Sequence, residues 1–371
     1  MTGVAIAGAA ECDLGATGKS ILELQTQAVT RALDDAGLTL ADVDGIATNG
    51  IARFSATQLA DWLGLKPSWC DSTFAGGAVF EMYVARAAQA IAAGQCSTVV
   101  ISYASDQRSA RSRKLTAVHD DGTPEAEWEA PYQPLYPISY YAMVAQRYLH
   151  VHGLTRADLA SVAVAARARA QINPKAWTYG RGALTVDDVL AAPQISSPLG
   201  RLDCCLVTDG GGAIVLTSLE RARDLPKRPV EVLGYGEALT HTGMASEPDL
   251  LRTGAIDSGR RAFARAGLTP ADIDVVQLYD AFTVSVPLGL EALGFAAPGE
   301  GLAVTTPHNT TGGGLAYCHP GQFGVLLLVE AVRQLRGECG DRQVPGASTA
   351  LAHGTGGIFS SHATVILGAD R

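Results

Sequence analysis

The 371-residue chain has no CxxC pair among its seven cysteines, no stretch approaching the length of a membrane span, and no basic block interleaved with aromatics. Each absence excludes something. Without paired spacing the cysteines define neither a zinc site nor a disulfide framework, so they read as thiols in a reducing cytoplasm. The opening segment MTGVAIAGAAECDLG lacks a basic region ahead of a long apolar run, and neither export nor anchoring is expected. A formal net charge of −9 argues against a nucleic-acid partner. The one local basic cluster, RSARSRK from Arg108 to Lys114, is too short to reverse that; it reads as a solvated loop or as a contact for the phosphates of an anionic cofactor. His308, His362 and the pair His150/His152 lack the spacing of a metal site and read as structural or surface residues.

What is present is a repeat. ALDDAGLTLADVDGIATNG from Ala32 and AFARAGLTPADIDVVQLYD from Ala262 align with Gly37 on Gly267, which also brings Leu38, Thr39, Asp42 and Asp44 onto Leu268, Thr269, Asp272 and Asp274. Each copy reads as a helix ended by glycine, a capped turn and a strand. A second pair follows: VARAAQAIAAGQC ending at Cys96 matches LLLVEAVRQLRGEC ending at Cys339, and both are apolar helices led by a glycine-rich loop. With 47% hydrophobic and 18% charged residues the chain is long enough for two core-bearing units. The fold class is therefore α/β: two duplicated halves, 1–227 and 228–371, with helices packed on buried strands such as TVVISYAS and GAIVLTS. A less regular region at about 105–200, rich in tyrosine and proline, reads as an inserted loop domain that carries ligand recognition.

The stretch NTTGGGLAYCHPGQFGVLLLVEAV, Asn309 to Val332, holds candidate chemistry. Gly312, Gly313 and Gly314 permit close backbone approach, and Pro320 suits the first turn of the helix that the apolar run implies. Tyr317, Cys318 and His319 then stand at a helix N-terminus, where negative charge is favoured.

Several separated blocks, SSPLGRLDCCLVTDGGGAIVL, VVQLYDAFTVSVPLGLEALGF, GGGLAYCHPGQFG and AHGTGGIFSSHATVILG, resemble in order the motif blocks of the thiolase superfamily. The closest likeness is to the sterol-carrier-like thiolases and bacterial lipid-transfer proteins. That resemblance implies a five-layered αβαβα fold, a homodimer and a coenzyme A thioester as ligand, coenzyme A being part of the substrate and not a separate cofactor. Gly77, Gly313, Gly314 and Gly356 would line the thioester pocket, and the adenine-phosphate end would lie on the loop domain between Tyr132 and Arg181.

Family thiolases that condense acyl groups use a cysteine at the N-terminus of the first buried helix, where the thiolate is favoured. The matching position here is Gly77. Cys70 lies upstream and reads as a small residue entering a strand, Cys318 reads as the replacement of the GHP glycine with its side chain turned away in preference to a displaced nucleophile, and the Cys204–Cys205 pair reads as core. The family's second cysteine is matched by His353, its NEAF or HDCF block by Tyr279–Phe282 (YDAF), and its GHP histidine by His319. Asp280 is expected to pair with a backbone donor or an arginine. The resemblance implies retro-aldol cleavage of a β-hydroxyacyl-coenzyme A, as in thiolase-like aldolases acting on steroid side chains with an OB-fold partner of the DUF35 type in a heterotetramer. On that reading Tyr279 and Tyr317 exchange protons, while His319 and His353 stabilise the enolate oxygen. Two alternatives stay open: an acyltransferase using an atypical cysteine, and a non-catalytic acyl-coenzyme A or lipid-binding subunit.

Overall fold

In the computed structural model, residues 3–50, 53–113 and 127–370 are described; Lys114 of the basic cluster and the part of the expected loop region at 114–126 lie outside them. Eleven strands occur among these residues: β1 (Val4–Glu11), β2 (Gly45–Ala47), β3 (Trp69–Asp71), β4 (Thr98–Ser105), β5 (Gln194–Ser196), β6 (Leu199–Gly200), β7 (Gly210–Ser218), β8 (Val230–Leu239), β9 (Val275–Leu278), β10 (Thr349–Gly356) and β11 (Ser361–Ala369). Nine of them form one mixed sheet in the order β3-β2-β4-β7-β1-β8-β11-β10-β9, and β5 pairs with β6.

The repeat read from the sequence appears in the pairing pattern. In the first half β1 pairs antiparallel with β7, β7 antiparallel with β4, and β4 parallel with β2, which is parallel to β3. In the second half β8 pairs antiparallel with β11, β11 antiparallel with β10, and β10 parallel with β9, with a parallel bridge from Val276 to His308 where β3 stands in the first. The halves join where Ala5 and Ile6 of β1 pair with Glu231 and Val230 of β8.

Local chemistry explains why both copies fold alike. Gly37 (φ 69°) and Gly267 (φ 67°) end the helices Ile21–Ala36 and Ala255–Ala266 in left-handed backbone that favours glycine. Thr39–Asp42 and Thr269–Asp272 form matching capping boxes. Asp44 accepts from the backbone N–H of Ser97 (2.9 Å) and Thr98 (2.8 Å), and Asp274 from Ser348 (2.8 Å) and Thr349 (3.0 Å), so each carboxylate fixes the start of the neighbouring strand. Gly8 and Gly234 let these outer helices touch the sheet: a Cβ there would lie 2.1 Å from the Ala32 carbonyl and 2.3 Å from that of Ala262.

The layers follow. Helix Ile21–Ala36 covers the outside of the first half and Ala255–Ala266 that of the second, while Val79–Ala92 and Gly324–Arg336 lie between the half-sheets. Both central helices are buried nearly all round, as an apolar helix inside a core must be. Between β4 and β7 run the helices Ile138–His152, Arg156–Gln171 and Val186–Ala191 and the β5–β6 hairpin, which roof the leading ends of the central helices. No helix among the described residues is long and apolar enough to cross a membrane.

Candidate active site

The site is assembled where β9 ends against the two loops that lead into the central helices. Asp280, just past β9, is buried and accepts from the backbone N–H of Gly314 (2.6 Å) and Leu315 (3.3 Å); burial outweighs these bonds and pushes its carboxyl up to about 7. A Cβ on Gly313 would fall 2.0 Å from that carboxylate, and one on Gly314 3.0 Å from the His319 ring. These two glycines thus wrap Asp280 and neither lines the cavity, which corrects the expectation that they face the thioester. The expected pairing of Asp280 with backbone donors is what the structure contains.

The glycine turn ends at Ala316, and the long helix begins only at Gly324, later than the proline suggested. Gly321 interrupts it with a left-handed backbone (φ 93°). The carbonyls of Pro320 and Gly321 are thereby free to accept from the phenols of Tyr103 (2.9 Å) and Tyr279 (3.2 Å).

Tyr279 and His319 meet here. The Tyr279 hydroxyl lies 3.1 Å from His319 Nε2, and since the Gly321 carbonyl only accepts, the phenol proton points to it and the imidazole N–H donates to the phenol oxygen. Burial drives His319 down to about 3 and Tyr279 well up from the ordinary phenol range, so both are neutral near pH 7. The His319 ring also stacks on Phe323 with centroids 6.0 Å apart.

Gly77 explains itself at this point. A Cβ added there would lie 2.0 Å from the Tyr279 ring and 2.6 Å from the Thr355 carbonyl. The phenol ring therefore occupies the volume that a side chain at the family's nucleophile position would need.

Two adjoining chambers open onto the pair. The larger, about 850 Å³, is walled by Gly77, Gly356, Tyr279, Tyr141 and Thr355 among others. The second, about 750 Å³, carries Arg108, Arg111 and Arg201. Both share Arg113, Pro137, Cys205, Phe282 and His319 as a common wall.

The remaining expected residues lie elsewhere. Tyr317 is buried with its ring against Phe323 (6.5 Å), near the Glu11–Arg333 ion pair, and lines neither chamber. His353 also faces away, because side chains alternate along β10. The positions of Gly354 and Gly356 turn toward the loop and first turn of the Val79–Ala92 helix, where a Cβ would meet Glu81 and Ala75. His353 turns to the opposite face, lines neither chamber and bonds to Thr364 (2.9 Å) and His362 (3.2 Å). His362, expected to be structural, is its partner. Cys70 is exposed on the edge strand β3, outside both chambers. Cys318 is enclosed, 3.1 Å from the Thr208 hydroxyl, with its thiol pushed up to about 12. Cys205, read as core, is a wall residue instead; burial also lifts its thiol to about 12. Sequence reading missed the wall tyrosines Tyr103 and Tyr141, whose only signal was the tyrosine-rich composition of the inserted region and the strand before it.

Comparison with known proteins agrees with this geometry. Residues 236–369 match a family model described as thiolase C-terminal domain-like. A 17-hydroxy-3-oxo-4-pregnene-20-carboxyl-CoA lyase of Mycobacterium tuberculosis is 37% identical over 86% of this chain and 88% of its own. An acetyl-CoA acetyltransferase of Methanothermobacter thermautotrophicus is 32% identical over 98% of this chain and 99% of its own. The solved structure named Ltp2-ChsH2(DUF35) aldolase superposes with a TM-score of 0.89 at 34% identity, covering 100% of this chain and 98% of that one. The chain belongs to the thiolase superfamily, in its sterol-carrier-like, lipid-transfer branch.

Proposed function

We propose that this protein is a carbon–carbon lyase that cleaves a β-hydroxyacyl-coenzyme A by a retro-aldol reaction, with a steroid or other bulky lipid acyl part. The observation that carries this reading is the Tyr279 ring seated over Gly77: a proton-transfer group fills the space of an acyl-accepting thiol. Relatives of similar sequence include both a lyase and an acetyltransferase, so the residues must decide between them.

Net retro-aldol chemistry moves one proton, from the β-hydroxyl to the α carbon. The Tyr279 oxygen takes the β-hydroxyl proton as the bond between α and β carbons breaks and the new carbonyl forms. The electron pair passes into the thioester as an enolate, and the original Tyr279 proton, swung away from the Gly321 carbonyl about the C–O bond, is delivered to the α carbon. This relay needs no ionised base, in keeping with a phenol that burial holds neutral. His319, also neutral, orients the phenol and donates to it. Tyr317 and His353 are left as supports of the surrounding structure. Coenzyme A enters only as part of the substrate, its phosphates toward Arg108, Arg111 and Arg201 and its acyl chain in the larger chamber. Seven free cysteines suit a reducing cytoplasm. An OB-fold DUF35 partner on a homodimer of this chain, a heterotetramer, is the assembly this reading invokes, by analogy with the aldolase complex it resembles.

The acyltransferase alternative draws on Cys205, the one cysteine on the wall between chambers, and its raised thiol counts against it. The test is incubation with a β-hydroxyacyl-coenzyme A, with and without the partner. Formation of the ketone or aldehyde together with the shortened acyl-coenzyme A supports the lyase; binding without turnover under both conditions refutes it.

A further inference from the structure

The wall shared by the two chambers contains one charged side chain, Arg113, beside Cys205, Phe282, Pro137 and His319. Its place differs from that of the other arginines nearby. Arg108 lies over the Trp177 ring at 4.4 Å and donates to the Val207 carbonyl (3.1 Å), and Arg111 and Arg201 face only the smaller chamber. Arg113 has no ion pair with any described residue. Its charge also acts on Tyr279, His319 and Cys205, groups on three separate segments that converge at this junction.

We propose that Arg113 is a further catalytic residue, whose guanidinium binds the thioester oxygen and stabilises the enolate that forms there. This rests on the lyase reading above. A thioester whose nucleotide end fills the arginine-lined chamber and whose acyl part fills the chamber of Tyr279 has its carbonyl at the shared wall. The developing oxyanion there otherwise meets neutral donors, because His319 and Tyr279 are both uncharged. Arg113 is exposed on that wall, and a thioester seated across both chambers would cover it from water, where a guanidinium is the strongest stabiliser available for that charge. No proton leaves Arg113: the relay through Tyr279 is unchanged, and the arginine acts only on the oxygen that carries the electron pair.

The test uses the full chain with its OB-fold partner and compares wild type, Arg113→Lys and Arg113→Met by three readouts. These are kcat for cleavage, affinity for a non-cleavable acyl-coenzyme A, and exchange of the α protons of the shortened acyl-coenzyme A in deuterium oxide with the carbonyl product present. The expected result for Arg113→Met is a fall of about 10²–10³ in both kcat and exchange, with affinity changed less than about threefold, Arg113→Lys in between, and partial recovery with added guanidinium. Retained kcat with weakened affinity would overturn the proposal and make Arg113 a phosphate contact; unchanged readouts would overturn it as well. A wild type that neither cleaves nor exchanges removes the lyase reading and this inference together, whereas a competent wild type beside a competent Arg113→Met removes the inference alone.

Discussion

The two central helices are copies, yet the loops that lead into them have taken opposite courses. Before Val79 the loop presents Gly77, bare of any side chain; before Gly324 it presents Tyr317, Cys318 and His319, of which only His319 reaches the cavity. The scaffolding of the halves has stayed alike: Asp44 and Asp274 cap neighbouring strands, and Gly37 and Gly267 end matching helices. Duplication preserved what folding needs in both copies and left the leading loops free to diverge. The active site draws on that divergence, since Tyr279 from the second half fills the vacancy left in the first.

The sharpest way to break this comparison is to remove the filler. Tyr279→Phe is expected to lower cleavage by at least about 10², with an unchanged circular dichroism spectrum, because it deletes a proton-transfer group while keeping the ring over Gly77. Next comes Gly77→Cys, which restores the family's nucleophile type. The new Cβ meets the Tyr279 ring, so the substitution should cost about 1–3 kcal/mol in denaturant unfolding and give no thiolase activity. Combining it with Tyr279→Ala should recover part of that loss, and additive losses would show that the two positions do not compete for space.

The conserved scaffold gives a matched pair. Asp44→Ala and Asp274→Ala each strip the acceptor from two backbone N–H groups, and each should cost about 1–3 kcal/mol, equal within error, by thermal or chemical unfolding. A smaller effect is expected from pH. His319 is neutral above about 3 and Tyr279 is neutral through the alkaline range, so neither titrates between about pH 5 and 9. Asp280, raised to about 7, is the site group that does. In a pH–rate profile with saturating substrate, kcat should be flat from about pH 7.5 to 9 and decline modestly below about 7 as Asp280 takes up a proton and loosens its bonds to Gly314 and Leu315. An acid limb that persists in Asp280→Asn would place an ionising imidazole in the mechanism. Smallest of all, Tyr317→Phe should change kcat less than about threefold, because its ring lies behind the cavity wall.

Much of this was legible in the sequence. The repeat was readable because helix stops, capping boxes and Asp44/Asp274 are local signals at fixed spacing. Tyr279, His319 and the bare Gly77 were readable because they occupy motif positions. The orientation of His353 and Tyr317 was not, since it depends on strand alternation and on which side of a turn a ring packs. Nor was the role of Gly313 and Gly314 as a cradle for Asp280, which arises only when two distant segments meet. Cys205 and Arg113 became wall residues through the same tertiary convergence; nothing in DCC or RSARSRK distinguishes one cysteine or one arginine from its neighbours.

The most direct measurement is rapid-quench intact-protein mass spectrometry during turnover of a β-hydroxyacyl-coenzyme A. If a phenol has replaced the thiol at this site, the chain keeps its unmodified mass while the shortened acyl-coenzyme A accumulates. A stoichiometric acyl adduct that forms and decays at the rate of turnover, mapped to Cys205, would contradict it.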